Sequence, residues 1–444
     1  MYTFKDGVYS DVLITSTINV TVCINDLGRV VEKEHKEKNA RIRCYNGVKW
    51  VDTTIEDIEE INDCLKVLEK KLEPCGDLFS DRYVEQQIEN KRIYTVYNKR
   101  KRYNKEVAKK LIVKIYSKVK ENKKLSELEV CFMSIREQKT FVNSCGSEKR
   151  YTYNADGIII AYTINKSGYQ GMIRLYDVLS YDYTSIIKRI FDQINKDVLY
   201  ADTENSLLSG KYTCIMAPGV TGILVHECLG HMSESDVADK NWILGKKIGK
   251  SFLNVVDDGK IAGSGYVPFD DEGIDAEETY IVKNGFINGF LSDISNSILR
   301  ESKSTGNGRI KSNYDKPLVR MTNTYMQGGD WTLDDLFRDV EQGIYIDECL
   351  GATIDEKIHI KLGKTYEIKN GKIDRPVKLL EVTGDAFELV NNIEMASNLV
   401  DLYNDVFGGC GKKNQTPIRV SYGGPYLKIN NVEIVGENCN VDEK

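Results

Sequence analysis

The segment Ala217-Pro218-Gly219-Val220-Thr221-Gly222-Ile223-Leu224-Val225-His226-Glu227-Cys228-Leu229-Gly230-His231-Met232-Ser233-Glu234-Ser235-Asp236 governs how the rest of the chain reads. Pro218 and the apolar run Ile223–Val225 predict a buried helix that carries both histidines. In the shorter pattern His-Glu-x-x-His, two imidazoles lie one turn apart on one helix face and hold a metal. Here one more residue intervenes. At ~100° per residue, five steps set the rings about 140° apart on an ideal helix. Both can reach one metal only where the helix is overwound, bulged or ended between them, and Gly230 sits where that distortion is easiest. The chain holds 4 histidines in 444 residues, and His35 and His359 stand alone. Half of a sparse supply at the two ends of one motif, with Glu227 in the base position, points to metal-assisted hydrolysis. His226 and His231 would supply two zinc ligands, with a third protein ligand and a water completing the set. Glu227 would be the general base. Spacing leaves the third ligand open among Cys228, Glu234, Asp236 and the distant Cys410, whose flanking Gly409 and Gly411 would let a thiolate approach a metal closely.

Outward from this segment the texture changes at about Gly210. Upstream, strand-like alternation at 17–23, 129–135 and 157–163 interleaves with helical periodicity at 55–72, 104–121 and 184–199. Downstream, glycines multiply, and Asp258-Gly259, Asn284-Gly285 and Asn370-Gly371 predict tight hairpins. A second helix is predicted from an N-cap at Thr332, with Asp335 three residues on and Trp331 and Leu336 as its hydrophobic staple. The expected fold is α+β: a mixed α/β domain over 1–208, then a β-rich domain over 209–444 carrying the metal-binding helix.

The chain has 61 Lys and Arg against 67 Asp and Glu, a formal charge of -6, and a hydrophobic fraction of 41%. Those values exclude wholesale disorder. No apolar run reaches the ~18–20 residues that span a bilayer, and the first residues lack the apolar core of a secretory signal. A cytoplasmic protein without a membrane partner is expected. The 11 cysteines are scattered with no Cys-x-x-Cys pair, which predicts reduced thiols. Between Glu89 and Lys124, 14 Lys and Arg face 3 Glu. Ala108, Leu111, Ile112, Ile115 and Val119 recur there at helical spacing, so the block reads as an amphipathic helix with a solvated lysine face. It does not read as a nucleic-acid surface, because aromatic residues are not interleaved for stacking.

A set of blocks in fixed order resembles the TldD side of the TldD/PmbA (TldD/TldE) metalloprotease family. They are the His226–His231 motif with Glu234 and Asp236, Phe269-Asp270-Asp271-Glu272-Gly273, Ser304-Thr305-Gly306-Asn307-Gly308-Arg309, residues 319–326, residues 367–373, and Gly409-Cys410-Gly411-Lys412. The resemblance implies zinc held by His226, His231 and Cys410, with Glu227 catalytic. It also implies cleavage of unfolded or extended peptides, ribosomally made precursors among them. The implied assembly is a dimer, either of like chains or with a PmbA/TldE-like subunit. The stretch 351–364, which holds His359, is shorter and more charged than its glycine-rich equivalent in the family.

Asn307 and Arg309, in a glycine-rich loop, are candidates for binding substrate backbone or a developing oxyanion. Asp270-Asp271-Glu272 reads equally well as a surface turn. Two other functional readings stand beside the peptidase. One is a dipeptidyl peptidase III-like enzyme, which needs a downstream glutamate such as Glu348 as third ligand. The other is a non-catalytic peptide-binding subunit with a structural zinc.

Overall fold

Period-two alternation in the first part of the chain builds one sheet from long strands. The computed structural model describes residues 2–97, 104–237, 240–404 and 408–436. Part of the lysine-rich block (98–103) and Phe407 lie outside these residues. The strands β1 (Tyr9–Ile24), β2 (Val30–Tyr45), β3 (Trp50–Ile55), β4 (Ile93–Tyr97), β5 (Leu125–Asn143), β6 (Glu148–Ile164) and β7 (Tyr169–Tyr176) form a sheet in the order β3-β2-β1-β5-β6-β4, with β7 also on β6. Side chains alternate between the two faces. Val12, Val20, Val22 and Ile24 of β1 face three helices, α1 (Ile61–Lys70), α3 (Lys105–Lys120) and α4 (Tyr183–Ala201). Tyr9 and Leu13 point the other way, into cores shared with Phe269, Ile274, Ile294 and Ile310. One further helix on this half is α2 (Arg82–Glu89).

The basic block folds as its spacing predicts. Ala108, Ile112, Ile115 and Val119 are buried in α3. Lys105 and Lys109 pair with Glu32, Lys118 pairs with Glu121, and Lys114 sits 3.7 Å from the Tyr183 ring centroid. The helix predicted at 55–72 is shorter than expected. Ile55 ends β3, and Asp57 accepts a hydrogen bond from the Glu59 amide and opens a 3₁₀ turn that leads into α1. The expectation of reduced thiols fails at one pair: Cys23 and Cys131 are cross-strand neighbours of β1 and β5, joined as a disulfide. Among the described residues no helix is long and apolar enough to cross a membrane.

The second half is strand-rich, as expected, around a mixed sheet of thirteen strands among the described residues. Its centre is β8 (Gly210–Met216) antiparallel to the strand Ser421–Gly436. Asn284-Gly285 and Asn370-Gly371 close tight hairpins, with both residues of each pair at positive φ, the backbone such turns require. Asp258-Gly259 does not close one. The Asp258 carboxylate accepts from the Lys260 amide, and the preceding strand Val255–Asp257 pairs with the distant strands Thr279–Lys283 and Asn323–Met326. The Thr332 cap and its Asp335 partner form the reciprocal capping box.

The halves meet at Asp270–Asp275, and here the reading of Asp270-Asp271-Glu272 as a surface turn is overturned. All three are buried. Asp270 accepts from the amides of Glu272, Ile274 and Gly308. Asp271 pairs with Lys139 of β5 and accepts from the Ile310 amide. Glu272 lies 3.8 Å from Arg43 of β2, whose guanidinium also grips Asp11 bidentately at 2.9 and 2.7 Å. Lys149 of β6 reaches the Gly273 carbonyl and Asp275, each at 2.8 Å. A Cβ at Gly273, where φ is +83°, would collide with the Phe141 ring at 2.1 Å. Burial raises the Asp270 and Glu272 carboxyls, and Arg43 opposes the rise at Glu272. Removing one partner of a buried pair strands the other. Asp271→Ala, which orphans Lys139 and the Ile310 amide, is expected to destabilise the protein by about 3–5 kcal/mol. A urea titration would read this as a lowered midpoint, and an unchanged midpoint would refute it.

Candidate metal centre

The helix predicted after Pro218 is α5 (Pro218–Val225), with proline at its first turn. It is apolar all round because it is buried against the strand Ser421–Gly436. Gly222 permits that approach: a Cβ there would lie 2.6 Å from the Gly423 amide nitrogen. Beyond Val225 the helix widens into one π turn, His226–Gly230, closed by the His231 amide donating to the His226 carbonyl. The extra residue of the motif is thereby absorbed. A turn with i→i+5 bonding returns residue 231 to the side of residue 226, and such turns recur at functional sites. The ring centroids of His226 and His231 stand 5.0 Å apart. Gly230 has ordinary helical angles, so backbone freedom is not its contribution. It provides space, since a Cβ would fall 2.1 Å from the Met321 sulfur.

Cys410 comes from the short hairpin Cys410–Lys412/Gln415–Ile418. Its Sγ lies 3.3 Å from His231 Nε2. Gly409, at φ +151°, has no room for a Cβ, which would sit 2.0 Å from the Ile418 carbonyl oxygen. Arg320, fully buried, donates to the carbonyls of Cys410 at 2.7 Å and Gln415 at 3.1 Å and so fixes the hairpin. One ligand atom from each of His226, His231 and Cys410 falls within 4.8 Å of the others. Tetrahedral zinc, with Zn–N of ~2.0 Å and Zn–S of ~2.3 Å, wants such atoms about 3.5 Å apart. The set is two nitrogens and one sulfur, the donors zinc prefers. Against the effect of burial, His226 and His231 hold the Cys410 thiol down to about 5. The buried His226 Nδ1 has no hydrogen-bond partner among the described residues. These residues fit zinc.

Glu234 is fully buried and accepts from His231 Nδ1 at 3.1 Å and from Lys412 at 2.9 Å. Against burial, His231 and Lys412 hold its carboxyl below the ordinary range. With Nδ1 committed to Glu234, His231 presents Nε2 to the Cys410 side. Glu227 Oε2 stands 3.9 Å from His231 Nε2. Burial raises its carboxyl, while His226 and His231 pull it down.

The other candidates lie elsewhere. Cys228 is fully buried in the core, and burial raises its thiol. Asp236 pairs with Lys412. Asn307 and Arg309, the expected substrate ligands, are buried. The Asn307 amide donates to Asp257 and to the Arg320 carbonyl and accepts from Thr305, so its polar atoms are spent inside the chain. Arg309 donates to the Met321 carbonyl, and burial beside Arg419 brings its guanidinium down to about 10. Both residues brace the loops behind the π turn. Glu348, the third ligand of the dipeptidyl peptidase III-like reading, is taken by Lys364, which also binds Asp197 of α4. The donor atoms that converge with the two histidines include no atom of Glu348 among the described residues. His359 is bound to Glu381 at 3.1 Å. Sequence reasoning missed Arg320, the pairing of Lys412 with Glu234, and the orienting role of Glu234; only the -Met-Ser-Glu- that follows His231 hinted at the last.

The sequence profile of the PmbA/TldA metallopeptidase C-terminal domain matches residues 209–436. A metalloprotease TldD homolog from Buchnera aphidicola subsp. Acyrthosiphon pisum is 35% identical over 238 residues, 52% of this chain and 49% of that protein. A zinc metalloprotease TldD homolog from Saccharolobus solfataricus is 31% identical over 257 residues, 56% of this chain and 57% of that one. The chain thus spans about half the length of these relatives. The crystal structure of TldE from Thermococcus kodakarensis superposes with a TM-score of 0.72 over 96% of each chain at 14% identity, a likeness of fold.

Proposed function

The chain belongs to the PmbA/TldD metallopeptidase family, and from that premise we propose that it is a zinc-dependent peptidase of the His-Glu-x-x-x-His type. The observation that carries the reading is the convergence of His226, His231 and Cys410 within 4.8 Å, with Glu227 beside them. Zinc bound there supplies Lewis acidity to the scissile carbonyl and the attacking water. Glu227 accepts the proton of that water on a carboxylate oxygen and delivers it to the leaving amine nitrogen. Glu234 keeps His231 in one tautomer and orientation, and Lys412 keeps Glu234 ionised. The substrates are unfolded or extended peptides, ribosomally made precursors among them. The working form is a dimer, of like chains or with a PmbA/TldE-like subunit. The chain divides into a 1–208 domain and a catalytic 209–444 domain.

Metal analysis with a cleavage assay on an unfolded peptide tests the reading. Purified protein is expected to carry about one zinc per chain, lose cleavage with chelator and regain it with zinc. Cleavage that survives full zinc removal would defeat it. Glu234→Gln is expected to weaken zinc by roughly 10–100-fold, the usual cost of losing a carboxylate behind a ligating histidine. Competition with a chromogenic chelator measures this, and an unchanged affinity would leave Glu234 without the orienting role.

A further inference from the structure

We propose that Tyr403, backed by Tyr422 and neighboured by Asp401, forms a subsite selecting peptides with a lysine or arginine near the scissile bond; this rests on the peptidase reading. The Tyr422 ring meets the His226 ring edge-on at 6.1 Å. Tyr403, its cross-strand partner, stacks on it at 6.4 Å with the planes 5° apart. Both rings lie along α5. A Cβ at Gly219 would come within 3.0 Å of the Tyr403 ring, and one at Gly222 within 2.8 Å of the Tyr422 ring. The two glycines thus open a shelf on which the aromatic pair runs from the start of the helix to the metal ligands. An extended peptide crosses the two ring-to-ring spans in about four residues at ~3.3 Å each.

Tyr403 is 43% exposed, although it belongs to an aromatic file leading to a buried centre. Asp401 lies two residues earlier on the same strand, in unbroken register, and therefore on the same face. It is exposed and forms no ion pair among the described residues. After burial, Asp401 is the largest influence raising the Tyr403 hydroxyl, to about 12, and it likewise raises that of Tyr426. A part-exposed aromatic ring with a carboxylate beside it matches an ammonium or guanidinium carried on a long aliphatic stem: the ring attracts the cation and the carboxylate pairs with it. An acidic side chain would meet the same carboxylate as a like charge. The occupant is therefore a basic residue of the substrate.

The test uses fluorogenic unfolded peptides that differ by Lys or Glu, placed in turn at each of four positions on either side of the cleaved bond. The wild-type protein is expected to cleave the Lys peptide about tenfold faster in kcat/KM at one or two adjacent positions. Confinement to those positions separates the subsite from general attraction by an acidic chain. Asp401→Asn alone is expected to shrink the ratio severalfold. With Tyr403→Leu added, the ratio should fall to about two, while zinc content stays at the wild-type level. Fluorescence anisotropy of the same peptides on Glu227→Gln protein reads the preference as affinity, without cleavage. Equal rates at every position, a preference for Glu, or an undiminished ratio in the double variant would overturn the proposal. If zinc-loaded wild type cleaves nothing, the peptidase reading falls separately. The anisotropy still decides the subsite, and Lys peptides binding no tighter than Glu peptides would remove it.

Discussion

Glu227→Gln is expected to lower kcat/KM toward an unfolded peptide by roughly 10²–10⁴-fold while leaving zinc in place. Gln keeps the volume and one carbonyl oxygen, so the packing of the π turn persists. It cannot accept the proton of the attacking water or carry it to the leaving nitrogen. Stability should not suffer, because burial already disfavours the Glu227 carboxylate and the amide removes a desolvated charge. None of the three proposed ligand atoms belongs to Glu227. Zinc analysis and steady-state kinetics on one preparation check both halves of the expectation. Persistent cleavage with zinc bound would mean that Glu227 is not the base. Wild-type protein that binds zinc but cuts no peptide would return the centre to the structural-zinc reading.

Cys410→Ser is expected to cost on the order of 10²–10³-fold in zinc affinity, since a zinc site spreads roughly 10–16 kcal/mol over four ligands. The neutral hydroxyl cannot replace a thiolate that the two neighbouring histidines favour. Cleavage should disappear at stoichiometric zinc and return only partly in excess. Cys228→Ala is the control. That thiol is sequestered in the core among Leu224 and Leu229, so zinc binding should survive its loss at some cost in stability. If Cys410→Ser keeps zinc at wild-type affinity, the third ligand lies elsewhere.

The parts of the fold and site that were legible in the sequence are those set by local spacing. The apolar stripe of α3, the Asn-Gly hairpins, the capping box at Thr332 and the histidine pair all depend on residues within a few positions of each other. Even the distortion between His226 and His231 could be read, because a five-residue interval on a regular helix has one geometric consequence. What stayed hidden depends on residues far apart in the chain. Cys410 meets His231 across 179 positions, and only the family resemblance singled it out. Asp271 meets Lys139 across 132, so a run of three carboxylates that could equally be a turn in water is a buried junction. Cys23 and Cys131 are separated by 108 positions, and only the β1–β5 register makes them neighbours. Asn307, in a glycine-rich loop, reaches Asp257 across 50 positions, a bond its local sequence does not announce.

The clamp on Asp270–Asp275 has a consequence for how this molecule can come apart. Asp271, Glu272 and Asp275 grip β5, β2 and β6, while Asp270 and Asp271 cap the amides of Gly308 and Ile310, on the loop that Arg320 and Asn307 tie back toward the Cys410 hairpin. Pulling the first sheet away would leave buried lysines and carboxylates without counterions on both sides at once. The two halves are therefore expected to unfold together, and a substitution that loosens the first sheet is expected to weaken the Cys410 hairpin through this chain of bonds.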